Sequence, residues 1–235
     1  MKRGKRFTTA TEKIKSDEKY SPEEAIGLVR ETATAKFDET IEMHILTGLD
    51  PRHAEQQIRG STVLPHGLGK EVRIAVFTEG EPAREAQDAG ADIVGGDDLI
   101  QQVQDGFTDF DTAIATREMM GKVGRLGRIL GPRGLMPNPR AGTVVAPEDI
   151  ARTVTEAKRG RVEFRLDRLA NIHVPLGKAS FEADKLQDNM ATFIEAINEA
   201  RPDVKGAFIR SVTITSTMGP AIPVDVNQAM ALKPA

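Results

Sequence analysis

Apolar and polar positions follow two different rhythms along this chain, and the rhythms occur in blocks. From Lys36 to His44 the rhythm is period two, with Phe37, Ile41, Met43 and Ile45 expected inward and Thr40, Glu42 and His44 outward, which is the pattern of a half-buried strand. It returns after Gly160. There Val162, Phe164 and Leu166 alternate with Arg161, Glu163 and Arg165, and Ile172, Val174 and Leu176 flank His173. A hairpin is expected around Asp167 to Asn171. A last strand, Phe208 to Ser216, hides Phe208, Val212 and Ile214 and exposes Ser211, Thr213 and Thr215.

Between these blocks the pattern changes. Val72 to Phe77 is a near-continuous apolar run, as expected of a strand covered on both faces. Helices over Glu81 to Ala89, Asp97 to Gln104 and Thr116 to Met120 alternate with short strands at Ala91 to Val94 and Thr112 to Ala115. A final helix over Pro147 to Lys158 stops at Gly160. This order predicts a small parallel α/β unit. Two further amphipathic helices flank it. The first is opened by Ser21-Pro22-Glu23-Glu24, a capping box, and carries Ala25, Ile26, Val29 and Ala33 on one face. The second aligns Leu186, Met190, Phe193, Ile194 and Ile197 and ends at Arg201-Pro202.

Half-buried strands on both sides of a parallel block imply an inserted domain, because sheets with one wet face group together. The fold class read from the chain is therefore α/β in two domains. Residues 1–67 and 160–235 form a split α+β two-layer sandwich of four strands and two helices. Residues 68–159 form an inserted Rossmann-like parallel α/β domain. The two crossings would act as a hinge.

The 235 residues contain no cysteine and no tryptophan, which excludes disulfide scaffolds and thiolate chemistry. No apolar segment follows the opening MKRGKR and no run approaches a membrane span, so a cytoplasmic protein without membrane contact is expected. The net charge of −3 argues mildly against a nucleic-acid partner, but the charge is unevenly spread. Between Glu71 and Asp111 only Arg73 and Arg84 oppose eleven acids, whereas from Arg117 to Arg140 six cations face Glu118 alone. Such a dipolar chain can present one basic surface. Lys2, Arg3, Lys5 and Arg6 form a second basic cluster, readable either as a phosphate contact or as a frayed, solubilising end.

Templates for catalysis fail. Leu64 and Ile172 stand where a phosphate-binding loop ending at Gly69-Lys70 or Gly177-Lys178 needs its first glycine, and the glycines from Gly124 to Gly134 lack dinucleotide spacing. His44, His53, His66 and His173 show no zinc spacing, and no nucleophile can be paired with a base. No enzyme activity, cofactor or metal is expected. What remains is an outward sheet face with Thr40, Glu42, Arg165, His173, Ser211, Thr213 and Thr215, rich in hydroxyls and poor in rings. Periodicity alone leaves this face either solvated or suited to folded RNA, whose phosphates and 2′-hydroxyls such groups can meet.

The stretch LGRILGPRGLMPNPRAGTV from Leu126 to Val144 closely resembles the signature segment of the ribosomal protein L-one family, bacterial type. DPRHAEQQIRGSTVLPHGLGK from Asp50, GRVEFR from Gly160, NIHVPLGKASF from Asn171 and STMGP from Ser216 resemble it too, in order, over about Lys36 to Pro220. The resemblance implies a split first domain that holds large-subunit ribosomal RNA in the mobile stalk beside the tRNA exit site. It also implies help in releasing deacylated tRNA, repression of the protein's own messenger RNA, and a monomer when free of the ribosome. Carried onto this sequence, the RNA surface falls on Lys36, Phe37, Thr40 and Glu42 and on Ser211, Thr217, Met218 and Gly219. Arg165 and His173 join them from the outward sheet face.

The basic loop from Gly121 to Val145 keeps two readings. Arg125, Arg128, Arg133 and Arg140 could touch RNA, or they could pair with the acidic half of their own domain while the glycines and prolines shape the backbone; the second is favoured. The tail after Pro220 has no assigned role.

Overall fold

The computed structural model describes residues 4–15, 18–202 and 206–234. In chain order α1 (Lys5–Glu12), α2 (Pro22–Thr32), β1 (Thr40–Thr47) and β2 (Arg59–Val63) come first. The middle of the chain gives β3 (Ile74–Phe77), α3 (Glu81–Asp88), β4 (Ile93–Gly95), α4 (Asp97–Gln104), β5 (Thr112–Thr116), α5 (Met120–Val123), α6 (Gly127–Leu130), β6 (Val144–Val145) and α7 (Ile150–Lys158). Then follow β7 (Arg161–Arg165), β8 (Asn171–Lys178), α8 (Ala183–Glu199), β9 (Ile209–Ser216), β10 (Ile222–Val224) and α9 (Val226–Met230). Residues 1–69 and 162–235 form one unit and residues 70–161 the other, each boundary two residues beyond the one read from the sequence.

In the split unit an antiparallel sheet runs β10-β9-β1-β8, so the first strand of the chain is central. Alternation in β1 puts Ile41, Met43 and Ile45 fully inside, where they meet Ile26 and Val29 of α2 and Met190, Phe193 and Ile197 of α8. Burial of each such side chain contributes roughly 1.5–3 kcal/mol, which fixes the sheet's face. Helix α2 starts as the sequence requires. Ser21 Oγ accepts from the Glu24 N–H at 3.3 Å, and the Glu24 carboxylate accepts from the Ser21 N–H at 3.1 Å. Asn189 of α8 is fully buried, and its amide donates to the carbonyls of Gly67 at 3.0 Å and Leu176 at 2.7 Å.

Two expectations for this unit need correction, and one open segment gains a role. β7 does not join the main sheet; it pairs with β2 in a separate two-stranded sheet. It leads into β8 through a Leu166–Ile172 bridge and the turn closed by the Asp167 N–H and the Asn171 carbonyl at 2.8 Å. Period two tells which face a strand buries, not which strand lies beside it. Phe37 is 55% exposed instead of inward, because the chain bends before β1 begins. The tail is structural: β10 is an edge strand that buries Ile222 and Val224, and Asp225 caps α9 by accepting from the Gln228 N–H at 2.9 Å.

The inserted unit has a parallel sheet in the order β4-β3-β5-β6. Ala75 and Phe77 face a layer containing Leu99, Val103, Leu126 and Leu130, while Ile74 and Val76 face Ala86, Ile150, Val154 and Ala157. Cover on both faces is the reason the strand reads as an unbroken apolar run. The helix expected over Thr116 to Met120 starts only at Met120, since Thr116 still belongs to β5 and a turn intervenes. The segment from Gly121 to Val145 is also more regular than expected. It holds most of α5, then α6 and β6, and it buries Val123, Leu126 and Leu130. Its helical spacing of three and four was masked by the intervening glycines, and a two-residue strand is too short to show a period.

Candidate nucleic-acid interface

The register across β1 decides which polar residues share the open face of the split unit. Glu42 stands opposite Thr215 on β9 and Pro175 on β8, His44 opposite Thr213 and His173, and Leu46 opposite Ser211 and Asn171. Thr40 stands opposite Lys178, whose Nζ donates to its hydroxyl at 3.0 Å. Thr40, Glu42, His173 and Ser211 are thus brought onto one surface, together with His44 and Lys178, which the sequence reading did not select. Arg165 is not among them, because β7 lies in the other sheet of this unit.

At the end of the face where β1 begins and β9 finishes, Lys36, Phe37, Thr217 and Met218 are exposed, Phe37 by 55% and Met218 by 52%. The residue that holds this end together is Glu39. It occupies the inward phase of the strand pattern and is 2% exposed. One carboxylate oxygen accepts from the Ala35 N–H at 2.8 Å; the other accepts from the Ser216 hydroxyl and the Met218 N–H, each at 2.8 Å. Burial works against its charged form, yet these three donors, helped by Arg6, outweigh it and hold the carboxyl below the usual glutamate range. Asp38 adds a second pin, accepting from the Ser180 hydroxyl at 2.7 Å and the Ser180 N–H at 3.1 Å. Bent between these anchors, the chain turns Phe37 out. A charged residue in a buried register was the signal that could have revealed Glu39.

Two residues of STMGP are also engaged within the fold. Thr217 is engaged without any partner molecule: its N–H donates to the Thr40 carbonyl at 3.0 Å, and its hydroxyl accepts from the Thr40 N–H at 3.0 Å. Removing that hydroxyl therefore costs stability. Gly219 is demanded by the fold itself, since a Cβ there would lie 2.4 Å from Ser216 Oγ.

His44 and His173 form a cross-strand pair with their Nδ1 atoms 2.7 Å apart. Burial, then the neighbouring His173, push the His44 imidazole below its usual range against the opposite pull of Glu42. Asp167 accepts from the N–H groups of Leu169 at 2.8 Å and Asn171 at 2.7 Å and lies 3.3 Å from His173 Nε2. At the far end of the same unit an open cleft is bordered by Arg52, Arg168 and Arg210, none of which the sequence reading selected.

The N-terminal cluster divides. Lys2 and Arg3 lie outside the described residues, whereas Lys5 and Arg6 are the first turn of a helix rather than a frayed end. The Arg6 guanidinium donates to the Thr34 carbonyl at 3.5 Å, and Lys13 ties α1 to Glu31 of α2 at 2.5 Å.

In the inserted unit several acids of the acidic half pair with cations other than the expected arginines. Lys70 meets Asp111 at 2.5 Å, Lys158 meets Asp92 at 2.7 Å, Arg73 pairs with Asp109, and Lys122 meets Asp97 at 2.8 Å. Arg125, Arg128 and Arg133 are exposed, and among the described residues none of them forms an ion pair; Arg133 donates to the Thr108 hydroxyl. The side chain of Arg140 lies outside the described residues.

The description "Ribosomal protein L1p/L10e family" matches residues 29–220. The chain is 54% identical over 234 residues to the large ribosomal subunit protein uL1 of Chloroflexus aggregans, and 53% identical to that of Chloroflexus aurantiacus, each alignment covering 99% of both chains. With the split sheet, the inserted parallel unit and an end-to-end match in place, the chain belongs to the Ribosomal protein L1p/L10e family, a family of ribosomal constituents rather than enzymes.

Proposed function

We propose that this protein is a cytoplasmic constituent of the large ribosomal subunit that grips large-subunit ribosomal RNA with the open face of its split unit. Lys36, Phe37, Thr40, Glu42, Ser211, Thr217, Met218 and Gly219 form the principal contact, with His173 further along the face. The observation that carries the reading is the pair of exposed apolar side chains, Phe37 and Met218, standing on backbone that Glu39 holds rigid. An unpinned loop would lose conformational freedom on binding; this one has already lost it on folding. The ring and the thioether offer adaptable apolar contact to sugars and base edges, while hydroxyls and cations meet 2′-hydroxyls and phosphates.

The same surface would serve the protein's own messenger through a similar RNA fold, which gives repression of that messenger. Arg125 and Arg128, which form no ion pair among the described residues, would with Arg133 and the sequence-predicted Arg140 supply a separate basic contact for RNA or for deacylated tRNA leaving the exit site. The free protein acts as a monomer. The test is binding of a stalk rRNA fragment at fixed salt by Phe37→Ala and Met218→Ala, which remove no internal hydrogen bond. Each is expected to weaken binding by about 1–3 kcal/mol with the salt slope unchanged. Parent-like affinity in both variants would remove this end of the sheet from the interface. A messenger leader that fails to compete with the rRNA fragment would remove the repressor role.

A further inference from the structure

We infer that the Nδ1 atoms of His44 and His173 form a two-donor site for a divalent first-row transition cation on the open sheet face. The two imidazoles come from adjacent strands at one register position, β1 against β8, so the sheet itself sets their separation. Their rings meet edge to face with centroids 4.9 Å apart, and the two Nδ1 atoms converge to 2.7 Å. Cis donors around a square-planar or octahedral cation at ~2.0–2.1 Å lie ~2.8–3.0 Å apart, so Ni²⁺ or Cu²⁺ needs the two nitrogens to separate only slightly, with the rings turned so that each lone pair aims at the ion instead of at the other nitrogen. Tetrahedral zinc would require ~3.3 Å and a small opening of the pair.

The outer nitrogens fit the same role. His173 Nε2 lies 3.3 Å from Asp167 Oδ2, and His44 Nε2 lies 3.9 Å from Glu42 Oε2. The Asp167 carboxylate behind His173 favours the tautomer that leaves its Nδ1 free to bind metal, whereas Glu42, too far from His44 Nε2 for a hydrogen bond, adds only negative charge. Asp167 is itself held by the backbone N–H groups of Leu169 and Asn171. The charges facing the pair decide between ion types. Glu42 from β1 and Asp167 from the turn before β8 are both acidic, and β9 offers only the neutral Thr213. The nearest cation along β8, Lys178, is committed to Thr40. A cation therefore suits this spot and a bare phosphate does not. Among the described residues no third histidine or carboxylate completes a cluster, so the remaining coordination positions belong to water and the ion is exchangeable. The site does not depend on the RNA reading.

The test is calorimetric titration of Ni²⁺ into untagged, metal-free protein without RNA. One ion per chain is expected, with affinity reduced more than tenfold in His44→Asn and in His173→Asn and unchanged in His53→Asn and His66→Asn. Unaltered circular dichroism of the variants shows that folding is intact. In the parent protein Ni²⁺ should broaden the imidazole resonances of His44 and His173 before those of His53 and His66, a measurement that needs no variant. Absence of one-to-one binding, binding that survives loss of either His44 or His173, or broadening that begins at His53 or His66 overturns the site.

Discussion

Glu39 Oε2 lies 2.8 Å from the hydroxyl of Ser216, and both side chains are buried beside the exposed Phe37, Thr217 and Met218. Through this contact and the Met218 N–H, one carboxylate joins the segment before β1 to the end of β9 and the residues after it, 177 and 179 positions away in sequence. Glu39→Gln presents an amide N–H to donors and leaves at least one of them without an acceptor. Loss of about 2–3 kcal/mol is expected, read as a lower urea midpoint with an unchanged slope. A midpoint equal to the parent's would show that the carboxylate is not an anchor.

The same contact predicts a pH dependence. The folded-state pKa of Glu39 lies below the ordinary glutamate value of 4.5, so its contribution to stability is fully present above that pH and is lost as pH falls through the folded value. Urea midpoints of the parent and Glu39→Gln should be far apart at neutral pH and converge below pH 4.5. A constant gap down to the lowest pH would contradict the sign.

Gly219 and Ser216 are predicted to be coupled. Gly219→Ala places a methyl 2.4 Å from Ser216 Oγ and should lower thermal stability before any RNA is added. Ser216→Ala alone also destabilises, since it removes one of the three donors to Glu39, but it removes the atom that the new methyl strikes. The double variant should therefore lose less than the sum of the singles, by roughly 1 kcal/mol. Strict additivity would mean that the clash is relieved by backbone movement.

Thr217 separates fold from binding. Thr217→Val removes the acceptor for the Thr40 N–H and is expected to cost about 1 kcal/mol of stability, whereas Thr217→Ser keeps it. Amide hydrogen exchange at Thr40 should accelerate in the first variant only.

Asn189 is the polar centre of the α8 contact. Asn189→Leu keeps bulk but leaves the Gly67 and Leu176 carbonyls and the His66 N–H without their side-chain partner, at a cost of roughly 2–4 kcal/mol. A thermal midpoint within a degree of the parent's would show that water replaces the amide.

Taken by itself, the sequence determined the elements whose burial is periodic and the fold class they imply. Ile41, Met43 and Ile45 had to face a core, Val72 to Phe77 had to be covered twice, and Ser21 to Glu24 had to open a helix, because side-chain direction and backbone capping are local properties. The signature segments also carried the family, since residue identities in order need no coordinates. Only the tertiary structure decided which strand lies next to which. β7 left the main sheet for β2, taking Arg165 with it, while the tail joined as β10. It likewise decided the partners of the charges: Lys70, Arg73, Lys122 and Lys158, not Arg125 or Arg128, meet the acidic half of the inserted unit. Glu39 could be seen as a charge in a buried phase, but its donors Ser216 and Met218 could not, and neither could the convergence of His44 with His173. These contacts join residues more than a hundred positions apart, and their energies depend on distances that local periodicity does not encode.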